Sequence, residues 1–369
     1  MTGPHSLPLL AERQDELSKC AYCPKLCRAT CVVSEALPRE ALTPWGKMTN
    51  AFDAERSGVL DAERAELAWA CSNCFRCREA CDHRNPVTET LNDARADYLA
   101  LGQAPAAVAA LLERQPELAA EHQVALTELA RTPGVSADAP TALLLGCRYV
   151  RVFGHEARAA IRLAARLVGP VRLVDGCCGA WQRAAGARVA ADTARERLAA
   201  ALGDSKRLLV YDPRCALELR ALSPTTLVEL AARHLERFEP VRSTADSFRY
   251  HDSCALGRGL GLYDEPRALL SRVVGTPLEL ETQREQARCS GGGGILPVSM
   301  PKVAQAAAQR LAVEHERLGG GTLVTGCASS LSQLRRAGTK AVDLITLLES
   351  ALSPTANCEP RTANPAQDG

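Results

Sequence analysis

The sequence lacks an excess of charge of either sign. Among its 369 residues, 44 Lys and Arg nearly balance 43 Asp and Glu. No positive field is available to attract phosphate backbones, so nucleic acids are not expected among the partners. Charge gives no reason to expect binding to a membrane surface either.

Long apolar runs are missing as well. No window approaches the about 18 apolar residues that a membrane-crossing helix needs. The first twenty residues mix acidic and basic side chains and contain no signal-peptide core. We therefore expect a cytoplasmic protein with no transmembrane segment, which associates with a membrane only through a partner. In the cytoplasm disulfides are rarely maintained, and clustered cysteines more often bind metals.

Fingerprints of nucleotide cofactors are also lacking. The glycines at 291–294 are not followed by Lys-Ser/Thr, and Gly257, Gly259 and Gly261 miss the GxGxxG spacing because Leu262 occupies the last place. We expect both glycine groups to allow close backbone packing beside a thiol site. No flavin or nicotinamide is expected on this chain.

Cysteine, by contrast, is abundant: there are sixteen, and eight of them lie between positions 20 and 81. These eight form two groups, spaced CxxCxxxCxxxC and CxxCxxCxxxC. In two-cluster ferredoxins three cysteines of such a group wrap one 4Fe-4S cluster and the fourth ligates the other cluster. We therefore predict a first ligand set, called thiol set 1, made of Cys20, Cys23, Cys27 and Cys81. Thiol set 2 is made of Cys71, Cys74, Cys77 and Cys31.

Two departures from the ferredoxin pattern leave an alternative open. The first group has one extra residue between its second and third cysteines, and Val32 and Asp82 stand where a proline often follows the fourth cysteine. Four-thiolate zinc sites also use CxxC pairs in intracellular proteins. Because paired zinc sites seldom place four cysteines within about a dozen residues twice, we favour iron–sulfur clusters.

Composition changes along the chain predict a multidomain protein. A mainly α-helical dicluster ferredoxin domain is expected first, then a helical connector ending in TPGVSADAP. Two α/β repeats follow, in which short apolar runs alternate with amphipathic helices. A disordered tail is expected last, with Cys358 as a free thiol. In chain order these parts span residues 1–101, 102–138, 139–240, 241–352 and 353–369.

The α/β half has the pattern of an internal duplication. Strand-like runs end at the cysteines of TALLLGC, VRLVDGC and RLLVYDPRC, and again at those of SFRYHDSC, QREQARC and GTLVTGC. Matched cysteines are 107, 112 and 112 residues apart. Because loops after parallel strands meet at one edge of a sheet, each repeat should bring its thiols together there. On the helix before GTLVTGC, His315 stands between Glu314 and Glu316 and is expected to face solvent.

The first repeat offers four candidate metal ligands, including an adjacent pair. Two neighbouring cysteines crowd one turn as inert core residues, whereas a metal centre can draw both thiolates to it. A reduced structural thiol cluster or an all-cysteine zinc site remains the alternative. The four are Cys147, Cys177, Cys178 and Cys215.

The second repeat carries a family resemblance. YHDSCALGRGLGLYDEPRALL, ARCSGGGG and TLVTGCASSLSQLRRAG resemble the CCG domain of heterodisulfide reductase catalytic subunits, and are similar to the iron–sulfur subunits of glycolate oxidase and anaerobic glycerol-3-phosphate dehydrogenase. The resemblance implies two CCG repeats that hold iron–sulfur clusters where thiol or disulfide chemistry occurs. His251 and Asp252 match the family's HDxC segment, and could hydrogen-bond the site or merely finish a strand. Pro44-Trp45-Gly46-Lys47 resembles a family turn that packs over the clusters.

The family's cysteine pattern is only partly preserved. Carried onto this sequence, it gives the second repeat Cys254, Cys289 and Cys327, with Ser290 and Ser330 in place of two cysteines. A hydroxyl is a poor ligand for iron, so a five-thiolate cluster cannot form there. Three possibilities remain for this site: a cubane with one open iron, a smaller metal site such as zinc, or an empty pocket.

The resemblance implies an electron-transfer subunit of an oxidoreductase. Two 4Fe-4S clusters would relay electrons between a partner flavoprotein dehydrogenase and a thiol, disulfide or quinone acceptor at the CCG repeats. Because the second repeat has lost cysteines, a metal-stabilised scaffold that binds a partner without redox turnover is the competing hypothesis.

Overall fold

The computed structural model describes residues 5–203, 205–241 and 247–353. The predicted tail, apart from Ser353, and Cys358 lie outside these residues. The N-terminal part is helical, as the sequence predicts. Its helices are α1 (Pro8–Ala11), α2 (Gln14–Ala21), α3 (Val32–Ala36), α4 (Pro44–Ser57), α5 (Ala62–Trp69), α6 (Arg76–Glu79) and α7 (Val87–Ala100).

Local sequence signals explain where α4, a helix beside the cysteine groups, begins and ends. The Thr43 hydroxyl accepts a hydrogen bond from the Gly46 backbone N–H at 3.0 Å, and Pro44 occupies the first helical position. Gly58 ends the helix in the left-handed region with φ 64°. This start holds Lys47 in the first turn, which faces the cysteines.

Two helices form the connector, α8 (Ala106–Glu113) and α9 (Gln115–Leu129). The first α/β repeat then contains β1 (Thr141–Leu144), α10 (Cys147–Val152), α11 (Gly154–Val168), β2 (Val171–Leu173), α12 (Ala180–Ala185), α13 (Arg188–Leu202), β3 (Arg207–Val210), α14 (Pro213–Glu218), β4 (Thr225–Thr226) and α15 (Leu227–Ala232). The second repeat contains β5 (Phe248–His251), α16 (Asp264–Val274), β6 (Leu278–Glu279), α17 (Leu296–Ser299), α18 (Pro301–Arg317), β7 (Thr322–Thr325), α19 (Ala328–Arg336), β8 (Ala341–Asp343) and α20 (Leu344–Ser350).

The two repeats have the same sheet topology. The strand orders are β2-β1-β3-β4 and β6-β5-β7-β8, and every neighbouring pair is parallel. This confirms the multidomain fold class, a helical ferredoxin-type part followed by two α/β repeats. In each repeat two cysteines accordingly follow the carboxyl ends of the two central strands, and the remaining ones follow an edge strand, β2 or β6.

One predicted strand is wrong. The segment QREQARC contains a 3-10 turn, Arg284–Gln286, and the strand of this unit is β6, ten residues before Cys289. The segment is too polar to enter the sheet. The Arg284 backbone N–H instead donates to the Asp252 carboxylate at 2.8 Å.

The expectation for His315 is also wrong, because its side chain is 0% exposed. Ala304, Ala308 and Leu311 are spaced three or four residues apart and form a buried stripe on α18. His315 continues this stripe four residues after Leu311. The flanking glutamates conceal this periodicity in the sequence. The His315 Nε2 lies 3.3 Å from the Gly321 carbonyl.

One apolar core runs through both repeats. It includes Ile161 and Leu209 of the first repeat and Leu270, Leu323 and Leu348 of the second, all fully buried. The N-terminal helices have a separate core around Trp69 and Leu91. In the described ranges, no helix is long and apolar enough to cross a membrane.

A buried carboxylate joins the two repeats. Tyr149 and Tyr211 of the first repeat stack at 3.7 Å between ring centroids, and each hydroxyl donates to Asp343 of the second repeat at 2.6 Å. The same carboxylate caps α20 by accepting from the Ile345 N–H at 2.9 Å. Asp343 is 0% exposed, so the two tyrosine hydroxyls cannot hydrogen-bond to water in its place.

We expect Asp343→Ala to lower the free energy of unfolding by about 3 kcal/mol, because it leaves two buried hydroxyls without an acceptor and uncaps a helix. Asp61→Ala is the matched control. Asp61 caps α5 through the Arg64 N–H at 2.8 Å, but its side chain is 62% exposed, so a loss of about 1 kcal/mol is expected. Denaturant unfolding of anaerobically prepared protein measures both, and equal losses would contradict the role of the tyrosine contacts.

Asp343 also predicts a pH dependence. Burial raises the pKa of Asp343 from 3.8 to about 6, although hydrogen bonds from both tyrosines oppose the shift. The protonated form therefore favours folding, and its contribution is complete below the unfolded pKa and lost as pH rises through 6. From about pH 8 to about pH 5, wild type should gain about 1 kcal/mol relative to Asp343→Asn. A stability difference that stays constant across this range would disprove the shift.

Candidate functional site: two thiol cavities and the edges of two sheets

Thiol set 1 lines a cavity of about 100 Å³. All four of its predicted members border this cavity, including the one from the distant second group: Cys20, Cys23, Cys27 and Cys81. Cys77, predicted for thiol set 2, borders this cavity as well as that of set 2. The Asn85 side-chain amide donates to Cys20 Sγ at 2.9 Å. The Lys25 backbone N–H donates to Cys23 Sγ at 3.4 Å. Such N–H groups stabilise thiolate sulfur.

Burial governs the protonation of this set. It raises the pKa of Cys20 to about 12 despite the opposing Asn85 hydrogen bond, and it raises the pKa of Cys27 to about 11. Neighbouring sulfurs raise both values further, because thiolates that converge repel one another. A bound cation would remove this penalty, since metal ligation replaces the proton.

Thiol set 2 lines a second, smaller cavity of about 20 Å³. Its four predicted members all border it: Cys31, Cys71, Cys74 and Cys77. The loop between α5 and α6 passes through the left-handed region at Asn73 (φ 52°) and Phe75 (φ 62°). Non-glycine residues rarely adopt this conformation, so the strain indicates a functional constraint. Here it lets closely spaced cysteines of the loop border a single cavity.

Each cavity is bordered by the four thiols of one predicted set. Within the described ranges, no three His, Cys, Asp or Glu side chains converge closely enough to bind one metal ion. We regard the donor chemistry, four thiols at each cavity, as matching 4Fe-4S ligation.

Lys47 is a buried cation beside thiol set 2. It is 2% exposed, and its Nζ donates to Cys31 Sγ at 3.4 Å. Burial alone would lower the pKa of Lys47, but Cys31 and Cys71 more than offset that effect and the pKa is raised. The family-like turn at Pro44 therefore delivers a charge to the site, a role that the expectation of packing alone missed.

Two arginines approach the same set from other segments. Arg95, 0% exposed, donates to the Cys71 carbonyl at 2.9 Å. Arg258 of the second repeat, 6% exposed, donates through Nε to the Cys74 carbonyl at 2.7 Å. Burial lowers the pKa of Arg95 to about 10, and Cys71 opposes that shift.

The first CCG site brings its four thiols into a chain of three contacts. Cys147 lies within hydrogen-bonding reach of Cys177, Cys177 within reach of Cys178, and Cys178 within reach of Cys215. The Gly179 N–H donates to Cys177 Sγ at 3.4 Å. Donation from Cys147, Cys178 and Gly179 lowers the pKa of Cys177. The site therefore favours one thiolate among protonated neighbours, a donor set able to accept a metal.

The second CCG site lies against thiol set 2. Cys289 is within hydrogen-bonding reach of both Cys254 and Cys74, and its Sγ lies 3.6 Å from the Ser72 Oγ. The pKa of Cys74 is lowered mainly by the Cys289 hydrogen bond. No pattern in the sequence indicates this contact between domains.

Other groups define the edge of the second CCG site. Arg214, which directly precedes a cysteine of the first repeat, approaches Cys254 Sγ at 3.6 Å. Burial raises the pKa of Cys327 to about 12. Ser290 and Ser330, the two substituted positions, hydrogen-bond each other at 3.1 Å. Arg214 and Arg258 could have been suspected from their positions close to cysteines in the chain.

The HDxC segment is held by structural contacts. His251 lies 3.2 Å from both the Thr325 hydroxyl and the Arg288 carbonyl. Asp252 pairs with Arg267 at 2.7 Å. Both residues therefore finish and brace β5, as the simpler alternative proposed.

The Gly-rich loop at 291–294 confirms the expected close packing. A Cβ on Gly294 would lie 2.2 Å from the Cys71 carbonyl oxygen, and one on Gly293 would lie 2.4 Å from that of Ser72. Only glycine allows this approach of the second repeat to the cysteine loop of set 2.

Comparison with known families agrees with this arrangement. A 4Fe-4S dicluster domain model matches residues 16–85. The CCG cysteine-rich domain model matches twice, at residues 141–220 and 248–335. The matched segments cover more than half of the chain and include all the predicted ligand cysteines.

Curated relatives are similar over different lengths. The chain is 24% identical over 319 residues to a subunit of the fumarate reductase (CoM/CoB) of Methanothermobacter marburgensis, covering 79% of this chain and 64% of the relative. It is 23% identical over 289 residues to EtfAB:quinone oxidoreductase of Syntrophomonas wolfei subsp. wolfei, covering 65% and 38%. It is 38% identical over 69 residues to a subunit of the dihydromethanophenazine:CoB--CoM heterodisulfide reductase of Methanosarcina barkeri, covering 18% and 16%.

The chain thus spans less than two thirds of the length of each of these relatives. A dicluster domain followed by two CCG domains, on the fold described above, is nevertheless a specific combination. The chain belongs to the CCG-domain iron–sulfur oxidoreductase family.

Proposed function

We propose that the chain is an electron-transfer subunit of an oxidoreductase, with one 4Fe-4S cluster on thiol set 1 and one on thiol set 2. The observation that carries this proposal is the exchange of cysteines between the two groups. Cys81 borders the cavity of the first group, and Cys31 borders that of the second. When bound, each cluster would take up and release one electron at a time.

Features at the two ends of the proposed electron path, thiol set 1 and the second CCG site, support a relay role. Near set 1, Tyr22 is 77% exposed and Leu26 is 55% exposed, and Leu26 lines the cavity itself. Exposed apolar side chains beside a redox site suit the docking of a redox partner. At the other end, Cys289 connects set 2 to the second CCG site.

The partner and the acceptor are proposed by chemical class. Relatives are named as a fumarate reductase subunit, a quinone oxidoreductase and a heterodisulfide reductase subunit. A flavoprotein dehydrogenase would exchange electrons at set 1, and a thiol, disulfide or quinone acceptor would do so at the CCG repeats. At the second CCG site, Arg214 would orient an anionic or carbonyl-bearing acceptor.

Anaerobically purified protein should be brown, with acid-labile sulfide and about eight irons at the two sets. The exchange of cysteines is tested by four single Cys→Ser variants. Cys81→Ser should perturb the same EPR signal as Cys23→Ser, and Cys31→Ser the same signal as Cys74→Ser. If Cys31→Ser instead perturbs the Cys23 signal, each group binds its own cluster and the assignment is wrong. Cys358→Ser, outside both sets, should leave the iron content unchanged.

The substituted serines generate a second test. Because thiolates bind iron far better than hydroxyls, the double variant Ser290→Cys/Ser330→Cys should gain iron at the second CCG site after reconstitution. Iron per chain and EPR of the reconstituted protein measure the gain. Ser332→Cys is the matched control, because Ser332 is also buried on α19 but hydrogen-bonds Arg148 at 3.0 Å. Equal iron in wild type, the double variant and the control would show that the loss of these two thiols does not limit iron binding at this site.

A further inference from the structure

The two thiol sets differ in the charge buried around them. Lys47, Arg95 and Arg258 are at most 6% exposed, and each contacts a thiol or a carbonyl of a set 2 cysteine. They come from three different segments, one of them the second CCG repeat. Set 2 therefore lies among three buried positive charges.

Two of these cations have no carboxylate partner among the residues that the structure describes. Among the contacts of the described residues, Lys47 donates to Cys31 and interacts otherwise with the thiols of set 2. Arg95 donates to backbone carbonyls and to the Asn92 side-chain oxygen, and its anionic neighbour is Cys71. A buried cation without an anionic partner is costly, so these residues require negative charge at set 2.

Thiol set 1 lacks such an environment. Of the described residues lining its cavity, Lys19 is the only lysine or arginine. Its side chain is 41% exposed and pairs with Asp15 at the surface. The donor to Cys20 is the neutral amide of Asn85, and Asp82 adds a negative charge to the lining.

Reduction adds one negative charge to an iron–sulfur cluster. Buried cations and hydrogen bonds to sulfur stabilise the reduced form and raise the reduction potential. Charges buried in protein act more strongly than exposed ones, which water and salt screen. The surroundings of set 2 therefore favour the reduced form of a cluster more strongly than the surroundings of set 1.

We propose that Lys47, Arg95 and Arg258 hold the reduction potential at thiol set 2 above that at thiol set 1, so that an electron resides preferentially at set 2. This inference rests on the proposed function and adds the internal direction of flow. Set 2 is the set that contacts Cys289, so the favoured position lies beside the second CCG repeat. Because Arg258 belongs to the second CCG repeat, that repeat helps to set the reduction potential at set 2.

A redox titration of the holoprotein followed by EPR tests the inference. Wild type should show two one-electron waves, and Lys47→Met should lower only the higher one. The expected change is at least tenfold in the oxidised-to-reduced ratio at a fixed potential, which is ~59 mV for a one-electron couple. Arg258→Met should lower the same wave, and it provides a second test if Lys47→Met does not fold.

Two further variants identify the lower wave and serve as controls. Asn85→Ala removes a hydrogen bond to Cys20 and should lower only the lower wave. Lys19→Met is the matched lysine control, and it should move either wave less than threefold because its charge is exposed and paired. The inference is overturned if the wild-type waves coincide, if Lys47→Met moves the lower wave, or if Lys19→Met matches Lys47→Met. Wild type without acid-labile sulfide would instead disprove the proposed function.

Discussion

Much of the structure depends on one buried guanidinium group. Arg95 donates to the carbonyls of Ala68 and Cys71 in the N-terminal part, of Ala184 in the first repeat and, at 3.5 Å, of Gly294 in the second. A single side chain thus ties together all three parts of the chain. The hydrogen bonds of Arg95 require that these parts meet at the cysteine loop, so its position fixes where thiol set 2 lies in the fold.

This arrangement brings two separate cysteine motifs together at one place. The dicluster domain supplies thiols and a lysine, and the repeats supply two arginines and a covering glycine loop. The shared core and the Asp343 contacts hold the repeats in one orientation. Set 2 and the second CCG site consequently face each other across an interface that side chains of both domains complete.

Local patterns in the sequence were sufficient for the fold class and the family, because cysteine spacing and strand–helix alternation survive in a single chain. The assignment of eight thiols to two sets stays a prediction, which the two cavities support. Contacts between distant segments could not be predicted: Cys74 and Cys289 are far apart in the chain, and Lys47 looked like part of a packing turn. The prediction for His315 was wrong because its flanking charges hid a buried helical stripe. The strand predicted at QREQARC was wrong because cysteine spacing suggested a strand that these polar residues cannot form.

The close approach of Gly293 and Gly294 to the cysteine loop limits which residues the second repeat can carry there. A Cβ at these positions would lie 2.4 and 2.2 Å from backbone carbonyl oxygens, and backbone cannot rotate aside as a flexible side chain can. Any larger residue would therefore push the second repeat away from Ser72 and Cys71, so two missing side chains set the spacing between the two domains.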